Sequence, residues 1–342
     1  MEYIHTRKEE IKSIHEIYNG DNPKILELFN DIPEINRLEN ISEVSGINMT
    51  KFWGGLNQST ILDHCIGVAL ILEKYTNEDK QIIAGLLHGL NTPAFNEASK
   101  HMNEKLNEKS IYDFIVGSDK LFEYFLNNNI DIQDVCDYSK YPLAKSNGVK
   151  LDADSIEKIL RTSYLLGNIT LKELKEIYND IIITKNEENV FEFAFDDYNM
   201  AEKFCKLSIE VARKYRSYES KISMKIVATL LELMLKRKEI NCEDLYKYAD
   251  KAIYEIGINS SDRRISEGWK KLKEIDKLYT KFNPVDDKFC VKVNVEARYI
   301  DPLVKLKGGY VRISRVSLEL KEDINQFLNS DTDLYMYADF II

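Results

Sequence analysis

IIAGLLHGLNTPAF, from Ile82 to Phe95, is the stretch of sequence that decides the fold. Its first half carries apolar residues at helical spacing, which predicts a buried helix over 79–90. The segment then turns, because Gly89 and Pro93 interrupt the helical pattern. His88 therefore stands at the C-terminal end of an apolar helix, where it is either a metal ligand or a hydrogen-bonded core histidine.

Together with further segments in the same order along the chain, this stretch resembles the signature of the HD-superfamily phosphohydrolases. The further segments are Pro33–Leu38 followed by Ile41 and Gly46, Asp63–Val68, Asn147–Asp154 followed by Arg161, and Tyr215–Lys221. In the family signature the apolar run ends in His-Asp and continues as Gly-His-Gly-Pro-Phe-Ser-His. The last two segments are most similar to the deoxynucleoside triphosphate triphosphohydrolase branch. The resemblance spans most of the chain and implies a mainly α fold, an HD-domain helical bundle with a small β-containing C-terminal subdomain.

The resemblance also implies a metal site built by His64, His88 and Asp154. Imidazole and carboxylate ligands suit one divalent transition metal such as Mn, Fe, Zn or Ni, with Mg as an alternative. Gly89 stands where the family has a fourth ligand, an aspartate. We therefore expect weaker metal affinity, a substitute ligand, or no metal at all. The candidates for a substitute ligand are Asp63, Asn91 and Glu97.

The same alignment assigns roles outside the metal site. The catalytic positions carry the acids Asp63 and Glu108, and the substrate-binding positions carry Arg37, Arg161, Arg216 and Tyr218. Other positions of the pattern have changed: Thr92 stands at the usual catalytic histidine, Glu97 at the histidine that follows, and Asn107 in place of the histidine of a His-Glu pair. The loss of several such residues together indicates that the original reaction is gone.

These residues have structural interpretations as well. A histidine beside an apolar run, such as His64 or His88, is often a hydrogen-bonded core residue. Asp152 and Asp154 precede an apolar-periodic helix predicted over 154–166, where they would cap its N-terminus and complement its dipole. Tyr218 would pack in the core.

Composition limits the classes of function. The formal net charge of −10 argues against non-specific binding to a nucleic-acid backbone, which needs a basic surface. The five cysteines form no CxxC pair and fit reduced thiols. The N-terminus MEYIHTRKEE has no apolar core of a secretory signal, and no apolar run approaches the roughly 18 residues that span a bilayer. We expect a soluble, cytoplasmic protein without membrane partners.

The pattern of residues changes near residue 280, which predicts a helical domain over 1–278 and an α+β subdomain over 279–342. Within the subdomain we expect a half-buried strand over Lys288–Ile300, a turn at Lys307–Tyr310, a strand over Val311–Val316, a helix over Glu319–Leu328 and a final strand over Leu334–Ile342. The final strand needs its own sheet or a partner surface, a modest argument for a homo-oligomer. Further upstream, 186–197 is expected to be a short strand or loop that packs Phe191, Phe193 and Phe195.

Three functions are compatible with this sequence. The first is a sensor or regulatory protein that binds a nucleotide or another phosphorylated ligand with weak or no hydrolysis. The second is a divergent but active nucleotide phosphohydrolase that uses His64, His88 and Asp154. The third is a structural or interaction protein. If Gly89 alone limits metal binding, Gly89→Asp should restore metal affinity, although not rapid hydrolysis.

Overall fold

The computed structural model describes residues 8–20, 32–53, 59–103, 106, 109–330 and 334–340. Within these ranges the chain forms sixteen α-helices and seven β-strands. The fold class is mainly α with a small β component, as predicted. Residues 23–30, where apolar spacing predicts a helix, lie outside the described residues. None of the helices in these ranges is both long and apolar enough to cross a membrane.

The helices and strands are numbered in chain order. The helices are α1 Glu9–Asn19, α2 Pro33–Arg37, α3 Ile61–Thr76, α4 Asp79–Leu87, α5 Asn96–Ser99, α6 Ile111–Val116, α7 Asp119–Asn127, α8 Ile132–Val135, α9 Ala153–Leu165, α10 Leu171–Asn179, α11 Tyr198–Tyr215, α12 Tyr218–Lys236, α13 Cys242–Lys247, α14 Asp250–Ile258, α15 Arg263–Leu272 and α16 Leu318–Leu328. The strands are β1 Ile181–Lys185, β2 Phe191–Phe195, β3 Tyr279–Lys281, β4 Phe289–Val291, β5 Leu303–Leu306, β6 Gly309–Arg312 and β7 Tyr335–Ala338.

Helix α3 lies at the centre of the larger of two apolar cores. Every residue from Ile61 to Leu72 is buried, because the helix is apolar on all faces rather than along one stripe. Helices α1, α4 and α9 pack around it. A capping box fixes its start: Thr60 N donates to Asp63 Oδ2 at 2.9 Å, and Asp63 N donates to Thr60 Oγ1 at 3.1 Å.

A second core surrounds helix α12, which packs against α5, α15 and strand β7. The apolar C-terminal residues Met336, Ala338 and Phe340 are buried in this core. Strand β7 is the middle strand of an antiparallel sheet with the order β3-β7-β4. These three residues are therefore covered by the chain itself, and the expected homo-oligomer stays a prediction without support from them.

The other sheet has the order β1-β2-β5-β6. Its middle pair is parallel, with Ala194 opposite Leu303, and the outer pairs are antiparallel. Strands on both sides of the expected boundary at 278/279 thus share one sheet, and the boundary itself stays a prediction. Phe193 and Phe195 of β2 are buried as expected, whereas Phe191 is 55% exposed because it lies at the outer end of the β1–β2 pair.

Two predicted elements are shorter than expected. Apolar spacing over 109–127 predicts one helix, but the structure divides it into α6 and α7, since Gly117 ends the first and Ser118 caps the second. The strand predicted over Lys288–Ile300 is limited to β4, and 292–300 forms no regular element. Alternation of apolar and polar residues over 292–300 reflects partial burial without a strand partner. The predicted turn does connect two strands, β5 and β6.

A buried ion-pair network ties the four-stranded sheet to the start of α9. The Arg312 guanidinium donates to both carboxylate oxygens of Glu192, at 2.5 and 2.9 Å, and to Glu187 at 2.8 and 3.0 Å. Glu192, 1% exposed, also accepts from the backbone N of Leu151 at 3.0 Å. Since Leu151 precedes the first turn of α9, the network positions that turn.

We predict that Arg312→Met lowers the free energy of unfolding by about 3–5 kcal/mol, because it leaves the buried Glu192 carboxylate without its cation. Arg298→Met is the matched control: Arg298 pairs with Glu296 at 2.8 Å, but the two side chains are 84% and 72% exposed, and exposed pairs contribute about 0–1 kcal/mol. Chemical denaturation measures both. Equal losses in the two variants would contradict a structural role for the network.

Candidate metal centre

Three helices bring His64, His88 and Asp154 together. His64 lies in the first turn of α3, His88 directly follows α4, and Asp154 lies in the first turn of α9. Helix α9 approaches α3 closely at Gly67, where an added Cβ would lie 2.6 Å from Glu157 Cγ. Any larger residue at Gly67 would push the two helices, and with them the histidine and the aspartate, apart.

The ligand atoms of the three residues converge on one point. His64 Nε2 lies 3.0 Å from Asp154 Oδ1, and His88 Nε2 lies 3.8 Å from the same oxygen. The two imidazole rings meet edge to face, with centroids 5.0 Å apart. One ligand atom from each residue lies within 4.8 Å of the others, so these residues form a group that could hold a metal ion.

Hydrogen bonds on the far side of each ring fix the orientation of the two imidazoles. His64 Nδ1 bonds to the carboxylate of Glu157, and His88 Nδ1 donates to the backbone O of Gly85 at 2.6 Å. The His88 ring also stacks on Tyr138, with centroids 4.6 Å apart. Metal-bound histidines in proteins commonly have this second partner on the distal nitrogen. Both Nε2 atoms are consequently directed at Asp154.

The centre belongs to a chain of alternating charges. Glu43 pairs with Arg161 at 2.6 Å, and Arg161 Nε donates to Glu157 at 2.6 Å. Glu157 bonds to His64, His64 to Asp154, and the other oxygen of Asp154 to Lys145 Nζ. Arg161 and Glu157 are fully buried. Buried charges of this kind are tolerated only when they are paired and hydrogen-bonded.

The charges in this chain move the pKa values of both histidines. Burial alone would lower the pKa of His64, but the charges and hydrogen bonds of Glu157 and Asp154 outweigh burial and raise it to about 9. Burial, followed by the charge of His64, lowers the pKa of His88 to about 4. Burial would raise the pKa of Glu157, but Arg161 and His64 lower it to about 2. At neutral pH His64 is thus a cation between two carboxylates, and His88 is neutral.

Two imidazoles and one carboxylate fit a divalent metal ion, because this donor set occurs in three-ligand sites that leave other positions open. Among the expected substitutes for a fourth ligand, Asp63 is occupied as the acid of the α3 capping box. Glu97 pairs with Lys100 at 2.9 Å. Asn91 lies in the turn that follows His88. Among the described histidines, cysteines and acids, the three residues of the centre form the group whose geometry fits a metal.

Packing explains the glycine at position 89. A Cβ on Gly89 would lie 2.6 Å from Cys65 Sγ and 2.7 Å from Ile61 Cγ2. Both atoms belong to the buried core beside α3. The space where an aspartate side chain would begin is therefore filled, and Gly89→Asp would have to displace Cys65 and Ile61. That this substitution restores metal affinity stays a prediction.

We predict that Gly89→Ala lowers the free energy of unfolding by about 1–3 kcal/mol, since the added methyl group overpacks the core, and that Gly89→Asp loses at least as much. Cys65→Ala in the Gly89→Ala background should recover part of the loss, because it removes the nearer of the two contacts. Gly308→Ala is the control, since an added Cβ there meets nothing within 4 Å. A Gly89→Asp protein that is as stable as the wild type and gains metal affinity would refute this explanation.

Of the two residues assigned to catalysis, Asp63 has its carboxylate in the capping box of α3, and Glu108 is not among the described residues. The Asp63 carboxylate accepts from Thr60 N, and the Asp63 backbone O accepts from His15 Nε2 at 3.0 Å. Asp152, expected as a cap, accepts from Ser155 N at 2.7 Å and is the N-cap of α9, whereas Asp154 faces the histidines. Both acids were expected to cap the helix, but only Asp152 does so.

The residues assigned to substrate binding make contacts within the chain. Arg37 donates to the backbone O of Leu90 and Thr92, at 3.1 and 2.8 Å, and so holds the turn after His88. Arg161 is part of the charge chain described above. Arg216 donates to Val295 O and Phe327 O, at 3.1 and 3.2 Å. Tyr218 packs against the second core, which agrees with the expectation that it is a core residue. Their role toward a ligand stays a prediction.

Sequence reasoning missed Glu157, Lys145 and Glu43. Helical spacing could have revealed Glu157. It lies three residues after Asp154 and four before Arg161, and side chains at these spacings share one face of a helix. Lys145 lies in an irregular segment held against α9 by the bond from Ala153 N to Leu143 O at 2.8 Å. Glu43 is more than a hundred residues from Arg161 in sequence. Neither has a local pattern that would reveal it.

We predict that Glu157→Gln weakens metal binding about 10- to 100-fold, the usual effect of losing a carboxylate behind a metal-bound histidine. The amide keeps the size of the side chain and removes its charge, so His64 loses one of its two ionic partners. Glu176→Gln is the control, on a side chain 48% exposed on α10. Metal titration followed by calorimetry gives the affinities. Unchanged affinity in Glu157→Gln would exclude an orienting role.

The sequence and the fold of this chain were compared with those of known proteins. No family model matches the chain. The chain is 23% identical over 270 residues to the uncharacterized protein YdhJ of Bacillus subtilis (strain 168), and the match covers 77% of this chain and 79% of that protein.

Two solved structures share the fold over nearly the whole chain. A phosphohydrolase from Bacteroides thetaiotaomicron VPI-5482 superposes with a TM-score of 0.63 at 14% identity, covering 91% of this chain and 94% of that one. A hypothetical protein from Aquifex aeolicus superposes with a TM-score of 0.60 at 14% identity, covering 90% of both chains. The chain therefore has the fold of a solved phosphohydrolase and carries a His-His-Asp group able to hold a metal.

Proposed function

We propose that this protein is an HD-type, phosphohydrolase-like protein that binds a divalent metal ion and a phosphorylated small molecule, with weak or no hydrolysis, in a sensor or regulatory role. One observation carries the proposal. Both histidines direct Nε2 at one carboxylate oxygen while their Nδ1 atoms are held by protein acceptors. His88 is neutral, and because its Nδ1 donates to Gly85 O, it directs an unprotonated Nε2 at the Asp154 carboxylate; two facing acceptors fit a cation between them.

His64 Nε2, His88 Nε2 and Asp154 would hold the metal ion. When bound, such an ion lowers the pKa of a bound water and neutralises charge on a phosphate group. The rest of the centre orients these ligands: Glu157 holds the His64 ring, Gly85 O holds the His88 ring, and Lys145 holds the second oxygen of Asp154. Lys145, with a side chain 34% exposed, is also a cation available to a phosphate group at the rim of the centre.

Two features support weak hydrolysis. The packed space at Gly89 leaves three ligands where the family signature has four, so a bound metal ion would be held less firmly. Thr92, at the position of the usual catalytic histidine, has no imidazole to transfer a proton, and its backbone O accepts from Arg37 at 2.8 Å. General acid–base catalysis contributes about 10²–10⁴-fold to a rate. Without that group and the fourth ligand, ligand binding is the function that this site supports best.

A nucleotide is the favoured ligand because the segments around Asp154 and Tyr218 resemble the nucleotide branch of the family. An active phosphohydrolase is the alternative, and the complete three-ligand set favours it. In that case turnover would depend on His64, His88 and Asp154, with proton transfer from a group other than Thr92.

The test combines metal content with ligand binding. We expect the purified protein to contain or take up about one divalent metal ion per chain by elemental analysis, and His64→Ala to lose it. His101→Ala is the control, since His101 lies outside the three-residue group. A panel of nucleotides and phosphate monoesters is then screened for thermal stabilisation and for release of phosphate.

The outcomes separate the candidate functions. Stabilisation by a nucleotide without phosphate release supports the proposal, and metal-dependent phosphate release that His64→Ala abolishes favours the active enzyme. If wild-type protein takes up no metal and no phosphorylated compound stabilises it, both are refuted and an interaction protein remains.

A further inference from the structure

Tyrosine rings lie on the outer face of the three-stranded sheet β3-β7-β4. Met336 and Ala338 of β7 are buried in the second core. Successive side chains of a strand point to opposite faces, so Tyr335 and Tyr337 lie on the outer face. Tyr279 of β3 is 44% exposed and stands opposite Tyr337, and the two rings stack with centroids 5.2 Å apart. The sheet thus covers the core with one face and presents aromatic rings on the other.

Lysine side chains lie beside the two tyrosine rings of the middle strand. Lys281, the last residue of β3, has its Nζ 5.8 Å from the centroid of the Tyr337 ring. Lys292, directly after β4, has its Nζ 5.7 Å from the centroid of the Tyr335 ring. Both lysines are exposed. A planar group that stacked on either ring would therefore have an ammonium group next to it.

This part of the surface is basic, although the chain as a whole has a formal net charge of −10. The charged residues of the three strands, together with the residue on either side of each, are Lys281, Lys288, Lys292 and Asp339. Lys288 pairs with Asp339, and the two side chains are 40% and 72% exposed. The net charge of the chain argues against nucleic-acid binding over the whole surface, but the local excess of lysine favours an anionic partner at this face.

We propose that the outer face of this sheet binds single-stranded nucleic acid, with bases stacked on Tyr279, Tyr335 and Tyr337 and phosphates bound by Lys281 and Lys292. Aromatic side chains on an open sheet, next to basic side chains, are the usual means by which proteins bind single strands. A duplex fits less well, because its paired bases do not offer their planar faces to the tyrosine rings. An acidic peptide would pair with the lysines but would give the rings no stacking partner. The proposal goes beyond the proposed function, since no residue of the metal centre takes part.

The experiment measures the fluorescence anisotropy of labelled single-stranded RNA and DNA of about 12 nucleotides, a length within the usual site sizes, with the chelator-treated full chain. We expect the wild type to bind and Tyr337→Leu to bind about 5- to 100-fold more weakly, the loss that accompanies one base–aromatic stack. Tyr337→Phe keeps the ring and should retain most of the affinity. Tyr112→Leu is the matched control, because Tyr112 is 41% exposed on α6, away from this sheet.

A pair of double variants tests the contribution of the lysines. Lys281→Gln with Lys292→Gln should weaken binding and reduce the slope of log affinity against log salt by about 1.4, since each phosphate contact of a single strand contributes about 0.7. The matched control is Lys172→Gln with Lys251→Gln, which changes the net charge equally at side chains 85% and 86% exposed on α10 and α14. Equal losses in the two double variants would show an effect of net charge alone and would overturn the site.

Three further outcomes would overturn the proposal. The first is a wild type that binds no single strand at about 10⁻⁴ M protein, the weak end of non-specific nucleic-acid binding, or that binds a duplex equally well. The second is binding that His64→Ala abolishes and Tyr337→Leu does not, which would locate the strand at the metal centre and leave the proposed function intact. The third is an oligomeric mass that falls in Tyr337→Leu while no strand binds, which would assign the face to a second copy of the chain.

Melting temperatures keep the loss in Tyr337→Leu interpretable. A variant that fails to fold melts early and loses metal as well, whereas loss of stacking leaves the melting temperature and the metal centre unchanged and is rescued by Tyr337→Phe. A loss of affinity that Tyr337→Phe shares in full would overturn stacking on this ring.

Discussion

The carboxylate of Glu157, fully buried where α9 crosses α3, is the group on which the rest of the centre depends. It bonds to His64 on one side and to Arg161 on the other, and Arg161 continues to Glu43. A buried charge without such partners costs several kcal/mol, so helix α9, helix α3 and the segment around Glu43 have little freedom to separate. Gly67 makes this arrangement feasible, since a side chain there would collide with Glu157. The orientation of the His64 ring is a consequence of core packing as much as of the site itself.

The position of Asp154 depends on residues of the four-stranded sheet that are distant from it in sequence. The segment before α9 is held by the sheet: Leu151 N donates to the Glu192 carboxylate, Phe193 N donates to Leu151 O at 3.3 Å, and Asp301 N donates to Val149 O at 2.9 Å. Arg312 neutralises Glu192 from the neighbouring strand pair. A sheet that contributes no ligand thus determines where the third ligand stands. The parallel pairing of β2 with β5 is what brings the two parts of this support together.

How much of this could be predicted from the sequence depends on the range of each interaction. Helical periodicity and the motif segments were enough to predict the mainly α fold and to select His64, His88 and Asp154, because those signals are local. The pairing of β2 with β5 joins residues more than a hundred positions apart, and no turn motif announces it. The packing around Gly89 was hidden from the sequence for a related reason. In the alignment, Gly89 stands where a ligand is missing. In the structure, Gly89 leaves room for the side chains of Cys65 and Ile61. The sequence also does not show that Arg37, Arg161 and Arg216 bind backbone carbonyls or buried acids of the chain itself. Their role toward a ligand stays a prediction.

The balance of charge around the centre leads to a more general conclusion. Glu43, Glu157 and Asp154 alternate with Arg161, His64 and Lys145, so the chain of charges is neutral while His64 is protonated. A fourth, carboxylate ligand would add one negative charge and would help to hold a divalent cation without any ligand present. With Gly89 that charge is absent. A divalent cation would displace the proton from His64 Nε2 and would still leave excess positive charge in a partly buried site, which is unfavourable without a counter-ion. The anion that restores the balance then has to come from the ligand. Under the proposed function, metal and phosphate therefore stabilise each other's binding, and by thermodynamic linkage each raises the affinity for the other by the same factor. Such mutual dependence suits a protein that responds to a ligand better than one that turns it over.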